Sequence, residues 1–426
     1  MIDLFDLAIV GAGPAGLMAA KTAAGAGLKV ILLERSKSFE KLKRACSAQF
    51  IMDNGYENEA LRINDGKLIF QNNKFEVNYS GPLVNVTNKY YYSPNGSRIH
   101  FALPDQKPFA VKFDKIRLIQ DLCEECKASG AELRMGSLAC GGSDSGTHVN
   151  IDIKTDNKYY SINAKKLVIA EGVNAKLTGI FGLNRSRSLF ATAHVVKYIL
   201  DGITDYEPNS WNLYYGKAYH SNAAVIIGPC LHGDKTAELT LSGNMNLRPE
   251  KIYESITADS PLKHILSKAK IIERHGCAVK AFTSLKTPYK GNVISIGDSA
   301  AFVEVEVQGA LMCGYNAGKA IIDELNGKPG FQAYTSWWQE AFEFNCDKYL
   351  QVSQGYALVP TYSDDELDYL FSLFKNMVLE GTYSQYKTPG LIWNHIYSYK
   401  DQIEKENHQL FSKIMNINKL TLSDTF

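Results

Sequence analysis

Three glycines, Gly11, Gly13 and Gly16, stand in the run IVGAGPAG at the spacing that lets a backbone close around a pyrophosphate. Gly11 permits a tight turn, Gly13 lets the chain approach the phosphates, and Gly16 lets the following helix lie close to the preceding strand. Pro14 and Ala15 open that helix, whose first amides face negative charge. Glu34 ends the next apolar run, KVILLER, where a carboxylate accepts hydrogen bonds from a ribose diol and repels a 2′-phosphate. Arg35 stands beside it and is taken as part of the same nucleotide site. Glycines at a plain strand-to-helix turn would be the bland alternative, but strand, helix, second strand and terminal acid coincide here.

The elements that must position these residues follow from periodicity. LFDLAIV reads as a buried strand, LMAAKTAAGAG as a helix of small and apolar residues, and KVILLER as the parallel neighbour strand, a unit of about 30 residues. The 51–100 region changes to short runs such as KLIF and KFEVNYS between Asn, Gly and Asp clusters, the pattern of an antiparallel excursion. DKIRLIQDLCEECKASG is helical with Gly130 as its stop, and KKLVIAEG returns to a buried strand. Successive strands of a second sheet are expected between about 185 and 285, and aromatic helices after Gly330. Near the far end, ISIGDSAAF is a strand ending in Gly297 and Asp298, placed so that Asp298 could bond the ribityl chain of a flavin. Gly309 and Ala310 open the next helix, whose positive end would stabilise a reduced flavin ring.

With the N-terminal fingerprint, this pattern resembles the flavoprotein superfamily that contains the aromatic hydroxylases and the geranylgeranyl reductases, matched in blocks over residues 1 to about 325. The resemblance implies an α/β fold: a Rossmann-like FAD-binding domain (1–50, 101–184 and 286–326), an inserted, mainly antiparallel substrate sheet (51–100 and 185–285) and a helical C-terminal region (327–426). It also implies FAD as cofactor. Glu171 and Gly172 in LVIAEGVNAKL occupy the family's Asp-Gly motif, with glutamate in place of aspartate. Lys115 and Arg117 both lie where such proteins carry an arginine next to FAD, and spacing does not choose between them. Arg44 and Ala45 in KRACSAQF fall in the segment that lies along the flavin. Cys46 falls there too, where geranylgeranyl reductases often have a cysteine near the substrate cavity.

Glu304 and Glu306 alternate with valines in VEVEV, so an extended conformation would set both carboxylates on one face. A carboxyl with its pKa raised by a cavity could supply the proton that accompanies hydride addition to a double bond. Solvated or ion-paired acids on a loop are the plain alternative. Cys123 and Cys126 form a C-x-x-C on a predicted amphipathic helix without a second ligand pair, which reads as packing and leaves no metal site expected. Where prenyl reductases show an aromatic-x-Trp-x-Phe-Pro run, this chain has Trp211, Tyr214 and Tyr215 in WNLYYGKAY.

Lys plus Arg number 46 against 45 Asp plus Glu, so nucleic acid is not an expected partner. Eight scattered cysteines fit a reducing, cytoplasmic setting. No run reaches the roughly 18 apolar residues of a spanning helix, so membrane contact, if present, would be peripheral. The leading expectation is an FAD-dependent reductase or dehydrogenase moving hydride between flavin N5 and an apolar or conjugated small molecule. Its flavin would be reduced by transient NAD(P)H or by a protein electron carrier such as ferredoxin, because no second GxGxxG is present. A monooxygenase of an aromatic or polyketide-like substrate is the runner-up. A flavoprotein–quinone oxidoreductase is disfavoured by the lack of a C-terminal cysteine cluster, and a non-catalytic flavin-binding redox module by the inserted sheet. Oligomeric state is left open.

Overall fold

The computed structural model describes residues 4–40, 44–220, 223–233, 235–244, 248–346, 349, 361–381, 383–384 and 387–419. Its first sheet grows around the strand Leu4–Val10, in which Leu7, Ala8 and Ile9 have no exposed surface. A strand without a polar face must be covered on both sides, the condition of a parallel sheet. Leu4–Val10 pairs parallel with Val30–Leu33 and with Tyr159–Ile169. Glu132–Arg134 extends the sheet beyond Val30–Leu33. The 11-residue strand Tyr159–Ile169 changes partner along its length: its first half pairs antiparallel with Val149–Lys154, and Leu167–Ile169 pairs parallel with Val293–Ser295. The last strand thereby ends one strand from the first, across Tyr159–Ile169.

Helix α1 (Pro14–Gly25) has small or apolar residues all round. α2 (Lys115–Ala128) is amphipathic and starts at Asp114, whose carboxylate accepts from the Ile116 and Arg117 amides at 2.8 and 3.1 Å, an N-cap. α3 (Lys176–Ile180), α4 (Pro249–Asp259) and α5 (Lys263–Leu266) are short. α6 (Glu306–Leu325) crosses α1 in close contact. A Cβ at Gly314 would lie 2.2 Å from Ala15 O, and one at Gly318 would lie 2.6 Å from Thr22 Cβ. Backbone therefore meets backbone along this crossing, and the loop before α6 is pressed against the start of α1.

The second sheet has the order Lys270–Phe282, Leu189–Asp201, Thr236–Asn244, Ala223–Pro229, Ser210–Tyr214, Asn88–Tyr92, Arg98–Ala102, Val378–Glu380. It is antiparallel except at Ser210–Tyr214 with Asn88–Tyr92 and at Val378–Glu380 with Arg98–Ala102. Alternation gives it two apolar faces. Tyr198, Tyr214, Val225 and Leu239 pack with α4 and α5. Tyr91, Ile99 and Phe101 pack with the C-terminal helices α8 (Asp364–Ser372), α9 (Lys387–Ser398), α10 (Lys400–Glu406) and α11 (His408–Met415).

Two placements exceed what periodicity carries. The hairpin strands Lys67–Phe70 and Phe75–Asn78 bury Leu68, Phe70, Phe75 and Val77 in the core of the first sheet, not the second. The aromatic C-terminal region divides: Phe331, Tyr334 and Trp338 of α7 (Gly330–Ala341) join the first core, and Val378–Glu380 adds a strand to the second sheet.

Candidate active site

Four segments converge where α1 begins. Gly11 has φ 101°, and a Cβ there would lie 2.3 Å from Ala170 O, while one at Gly16 would lie 1.8 Å from Gly11 O. Both glycines are demanded by the protein's own packing. Gly13 is different. Its φ of −77° suits any residue, and a Cβ would meet no protein atom within 4 Å. Its small size is left for a ligand that approaches the backbone. The start of α1 also has no side-chain cap and no acid in its first turn, so its orphan amides suit a pyrophosphate. Glu34 accepts from the Ala12 amide at 2.9 Å and the Ser36 amide at 2.7 Å, which fixes its carboxylate at the end of the second strand. Arg35 is exposed.

Gly297, at φ 63°, brings its Cβ position to 3.5 Å from Ala15 Cβ. The next residue, Asp298, accepts from the Val305 amide at 3.1 Å and lies 3.7 Å from the Arg44 guanidinium. Burial works against the charge on Arg44, but Asp298, Cys277 and Cys46 more than offset it and hold its pKa above the ordinary arginine value. Gly172, at φ 72°, completes the ring: its amide donates to Ser299 Oγ at 3.2 Å, and a Cβ on it would sit 3.3 Å from Arg44 Nη1. Ala45 is buried between Arg44 and Cys46.

The VEVEV segment is not extended, which corrects the sequence expectation. Val303 has φ 61°, and the Glu304 amide donates to Phe302 O at 2.7 Å, closing a three-residue turn. A β-branched residue in that region carries about 1–3 kcal/mol of strain. Glu306, at φ 56°, is already the first residue of α6. The helix therefore opens three residues before Gly309, whose missing Cβ faces Glu57 Oε2 at 2.6 Å and the Phe342 ring at 2.8 Å. Gly309 and half-buried Ala310 serve this helix packing.

The strained turn still brings both carboxylates together. Glu306 raises the pKa of Glu304, with burial adding to it, and burial followed by the neighbouring Cys46 raises that of Glu306. Glu304 is exposed while facing Arg44, Lys115, Asp298 and Glu306. Ser47 Oγ donates to Glu306 Oε2 at 3.2 Å.

The structure separates two candidate pairs. Lys115 faces the carboxylates, whereas Arg117 is held by Asp121 at 2.8 Å and Ser80 Oγ at 2.6 Å. Glu171 turns away from its neighbour Gly172 to accept from the Thr178 amide at 3.0 Å, anchoring α3.

Several residues of this region carry no sequence signal. Lys112, in AVKF, is wholly buried; its Nζ lies 2.6 Å from Glu238 Oε2, donates to the Ser47 carbonyl and sits 5.1 Å from the Trp211 ring centroid. Lys197 reaches the other oxygen of Glu238 at 3.0 Å. Trp211 Nε1 donates to Gln49 Oε1 at 2.7 Å. Lys112, on the strand Ala110–Phe113 that pairs with Gln49–Ile51, thus ties the Ser47 carbonyl to Glu238 of the second sheet. Only the pairing of distant strands places it there. A cavity of about 530 Å³ lined by Tyr92, Tyr214 and Tyr219 opens on the other face of that sheet, since Tyr214 alternates with the Trp211 side.

A dinucleotide-binding sheet, a glycine loop whose Gly13 faces no protein atom, and an Asp–Arg pair beside it are the parts of an FAD-dependent oxidoreductase. Residues 5–229 match the model of the pyridine nucleotide-disulphide oxidoreductase family, and the chain belongs to that family. The chain is 24% identical to the digeranylgeranylglycerophospholipid reductase of Methanosarcina acetivorans over 399 residues, 89% of this chain and 91% of that one. It is also 24% identical to the reductase of the same name from Methanocaldococcus jannaschii, over 86% and 90%. A geranylgeranyl bacteriochlorophyll reductase-like protein from Thermoplasma acidophilum shares the fold with a TM-score of 0.72 at 17% identity, over 98% of this chain and all of that one.

Proposed function

We propose that this chain reduces carbon–carbon double bonds in the geranylgeranyl chains of a lipid. The observation that carries the reading is the Glu304–Glu306 pair, gathered by the turn at Val303 beside Arg44 and Ser47, with both pKa values raised. The family and the reductases to which the chain is similar along most of its length support it. Residues 1–50, 101–184 and 286–326 would form the FAD-binding part, with the 67–78 hairpin and α7 packed on it; the rest of 51–100, with 185–285 and Val378–Glu380, would form the substrate sheet, and the rest of 327–426 its helical cover.

FAD would be held by the Gly11–Gly16 loop and α1 amides at its pyrophosphate, Glu34 at its ribose, and Asp298, Arg44 and Gly172 toward its ring. When bound, it supplies a two-electron hydride donor at N5. The chain's own part is the other half of the addition. A saturated C–C bond needs a proton as well as a hydride, and Glu304, with Glu306 as its partner, would hold that proton. Once one carboxyl has given up its proton, Lys115 and Arg44 stabilise the charge that remains. Lys112 would position the 45–48 segment so that Ser47 stays on Glu306. Cys46 stands in the same segment, within reach of the same space. The reductant would be transient NAD(P)H or a protein carrier of the ferredoxin kind, and access to a lipid implies peripheral membrane contact. Among the described residues no helix is long and apolar enough to cross a membrane.

The test is anaerobic: flavin on the purified chain is reduced with dithionite and mixed with a geranylgeranyl lipid. Flavin reoxidation with product heavier by two hydrogens is expected. No reoxidation by the lipid, together with hydroxylation of an aromatic substrate once oxygen is admitted, would replace this reading with the monooxygenase.

A further inference from the structure

The cavity of about 530 Å³ on the α4–α5 face of the second sheet lies apart from the carboxylate pair, and the proposed reaction leaves it unused. Its floor is the ends of the strands Asn88–Tyr92 and Ser210–Tyr214; its walls are the 94–96 turn, the 205–207 turn and the start of α5. Tyrosine dominates the lining. Tyr92 and Tyr214 stack with ring centroids 5.2 Å apart, and Tyr219 stands against Tyr214 at 5.2 Å with its ring tilted by 59°. Tyr206 is the fourth ring. The hydroxyls of Tyr206 and Tyr219 donate to Thr236 O at 3.3 Å and Ser93 O at 2.8 Å, so what these rings have left to offer a ligand is π surface. Tyr214 is 9% exposed, and its hydroxyl has no partner among the described residues.

The formal charge of the lining has one sign. Asp205 and Glu207 contribute carboxylates, both exposed, and no lysine or arginine lines the space among the described residues. His264 is the one basic group there, and its Nδ1 donates to the Pro261 carbonyl at 2.7 Å. Glu207 is already paired: Arg98 Nη1 lies 3.2 Å from it, and the same guanidinium lies 4.6 Å from the centroid of the Tyr90 ring. Tyr90 neighbours Tyr92 at 5.8 Å, so this aromatic row already takes one cation on a ring face. Asp205 has no cation within 4.0 Å among the described residues and is the acid left for a ligand.

We infer that this cavity is a binding site for an organic ammonium ion, its head against Tyr92, Tyr214 and Tyr219 and its charge facing Asp205. Ring faces attract cations, most strongly where water is excluded, and the buried Tyr214 and Tyr219 provide such a floor. The volume is that of a pocket for a small organic ligand and exceeds what an ammonium head fills, so the ligand carries an apolar body, which lies along Leu262 and Ile265. Tyr214 alternates with Trp211 along its strand, which puts this site on the opposite face of the sheet from the carboxylate pair. It is therefore independent of the flavin and of the proposed reaction.

The probe is choline, titrated by calorimetry into the full, flavin-loaded chain beside its neutral carbon isostere, in which a tert-butyl group replaces trimethylammonium. Choline is expected to bind in the millimolar range or tighter, and the isostere at least about tenfold more weakly, the share of a cation on desolvated rings. Asp205→Asn, at an exposed position, should weaken choline severalfold. Tyr214→Leu, checked for an unchanged melting curve, should abolish measurable binding. The visible flavin spectrum should not move at saturating choline. The inference is overturned if choline does not bind, if the isostere binds equally well, if either folded variant binds choline like the wild type, or if choline shifts the flavin spectrum. The isostere and Asp205→Asn decide the matter should Tyr214→Leu fail to fold.

Discussion

The two ends of the site are built in different ways. At the nucleotide end, shape is set by what is missing: Cβ atoms at Gly11, Gly16, Gly297 and Gly314, with Gly13 small for the sake of something outside the protein. At the carboxylate end, shape is set by what is held against its preference: Val303 and Glu306 at positive φ, two acids with raised pKa values, and Lys112 fully buried. The first end costs little once the glycines are present. The second stores strain and desolvation, and the surrounding sheets must over-determine it. On the proposed function, cofactor binding and proton delivery would fall to differently built ends of the site.

The sharpest way to break this contrast is inside the glycine loop. Gly16→Ala should prevent folding, because its Cβ overlaps Gly11 O. Gly13→Glu should fold with the melting temperature of the flavin-free wild type and purify without flavin colour. A yellow, folded Gly13→Glu protein would show that the loop does not receive the pyrophosphate.

At the other end, Lys112→Met removes one of the two cations on Glu238. Breaking a buried ion pair from one side costs about 3–5 kcal/mol, with Lys197 limiting the loss to the lower part of that range. Urea unfolding measures it. A change under about 1 kcal/mol would mean that the triad does not hold the 45–48 segment.

The difference between the ends also explains what the sequence discloses. The Gly11–Gly16 loop, Glu34 and the Gly297–Asp298 turn are local patterns, each read within a few residues of a strand end. Lys112 and Cys277 look like ordinary strand residues, because their partners, Glu238 and Ala45, are distant in the chain. Periodicity found both sheets, but it cannot say which core receives the 67–78 hairpin, since Phe70 and Phe75 would be equally apolar in either. It also read VEVEV by its alternation. The turn at Val303 is imposed by Asp298 bonding the Val305 amide and by α6 docking on α1, a tertiary override of local preference.

A smaller effect sharpens the boundary between the two ends, where Asp298 touches both. Asp298→Ala should lower FAD affinity about tenfold to a hundredfold, the 1.5–3 kcal/mol of a charged hydrogen bond, read by flavin titration. Equal affinity would confine Asp298 to anchoring Val305.

The smallest expected effect is the pH dependence of stability. Glu304 and Glu306 have pKa values raised above the ordinary 4.5. Above about pH 4.5 the unfolded chain gives up protons that the folded chain retains, so these groups make stability fall as pH rises toward the neutral range. The loss is complete once both ionise in the folded state. Its size should be no more than about 1 kcal/mol, because accessible surface on Glu304 screens its charge. Replacing both with Gln should flatten the melting temperature between pH 5 and pH 8.

The most direct test of the account compares anaerobic reoxidation of the reduced, flavin-loaded wild type and the Glu304→Gln/Glu306→Gln variant by a geranylgeranyl lipid in a stopped-flow instrument. With flavin content and lipid affinity equal, the variant should be slower by about 100-fold or more, the share of a positioned general acid. Equal rates would mean that the proton reaches the double bond by another route and that the carboxylate pair is structural.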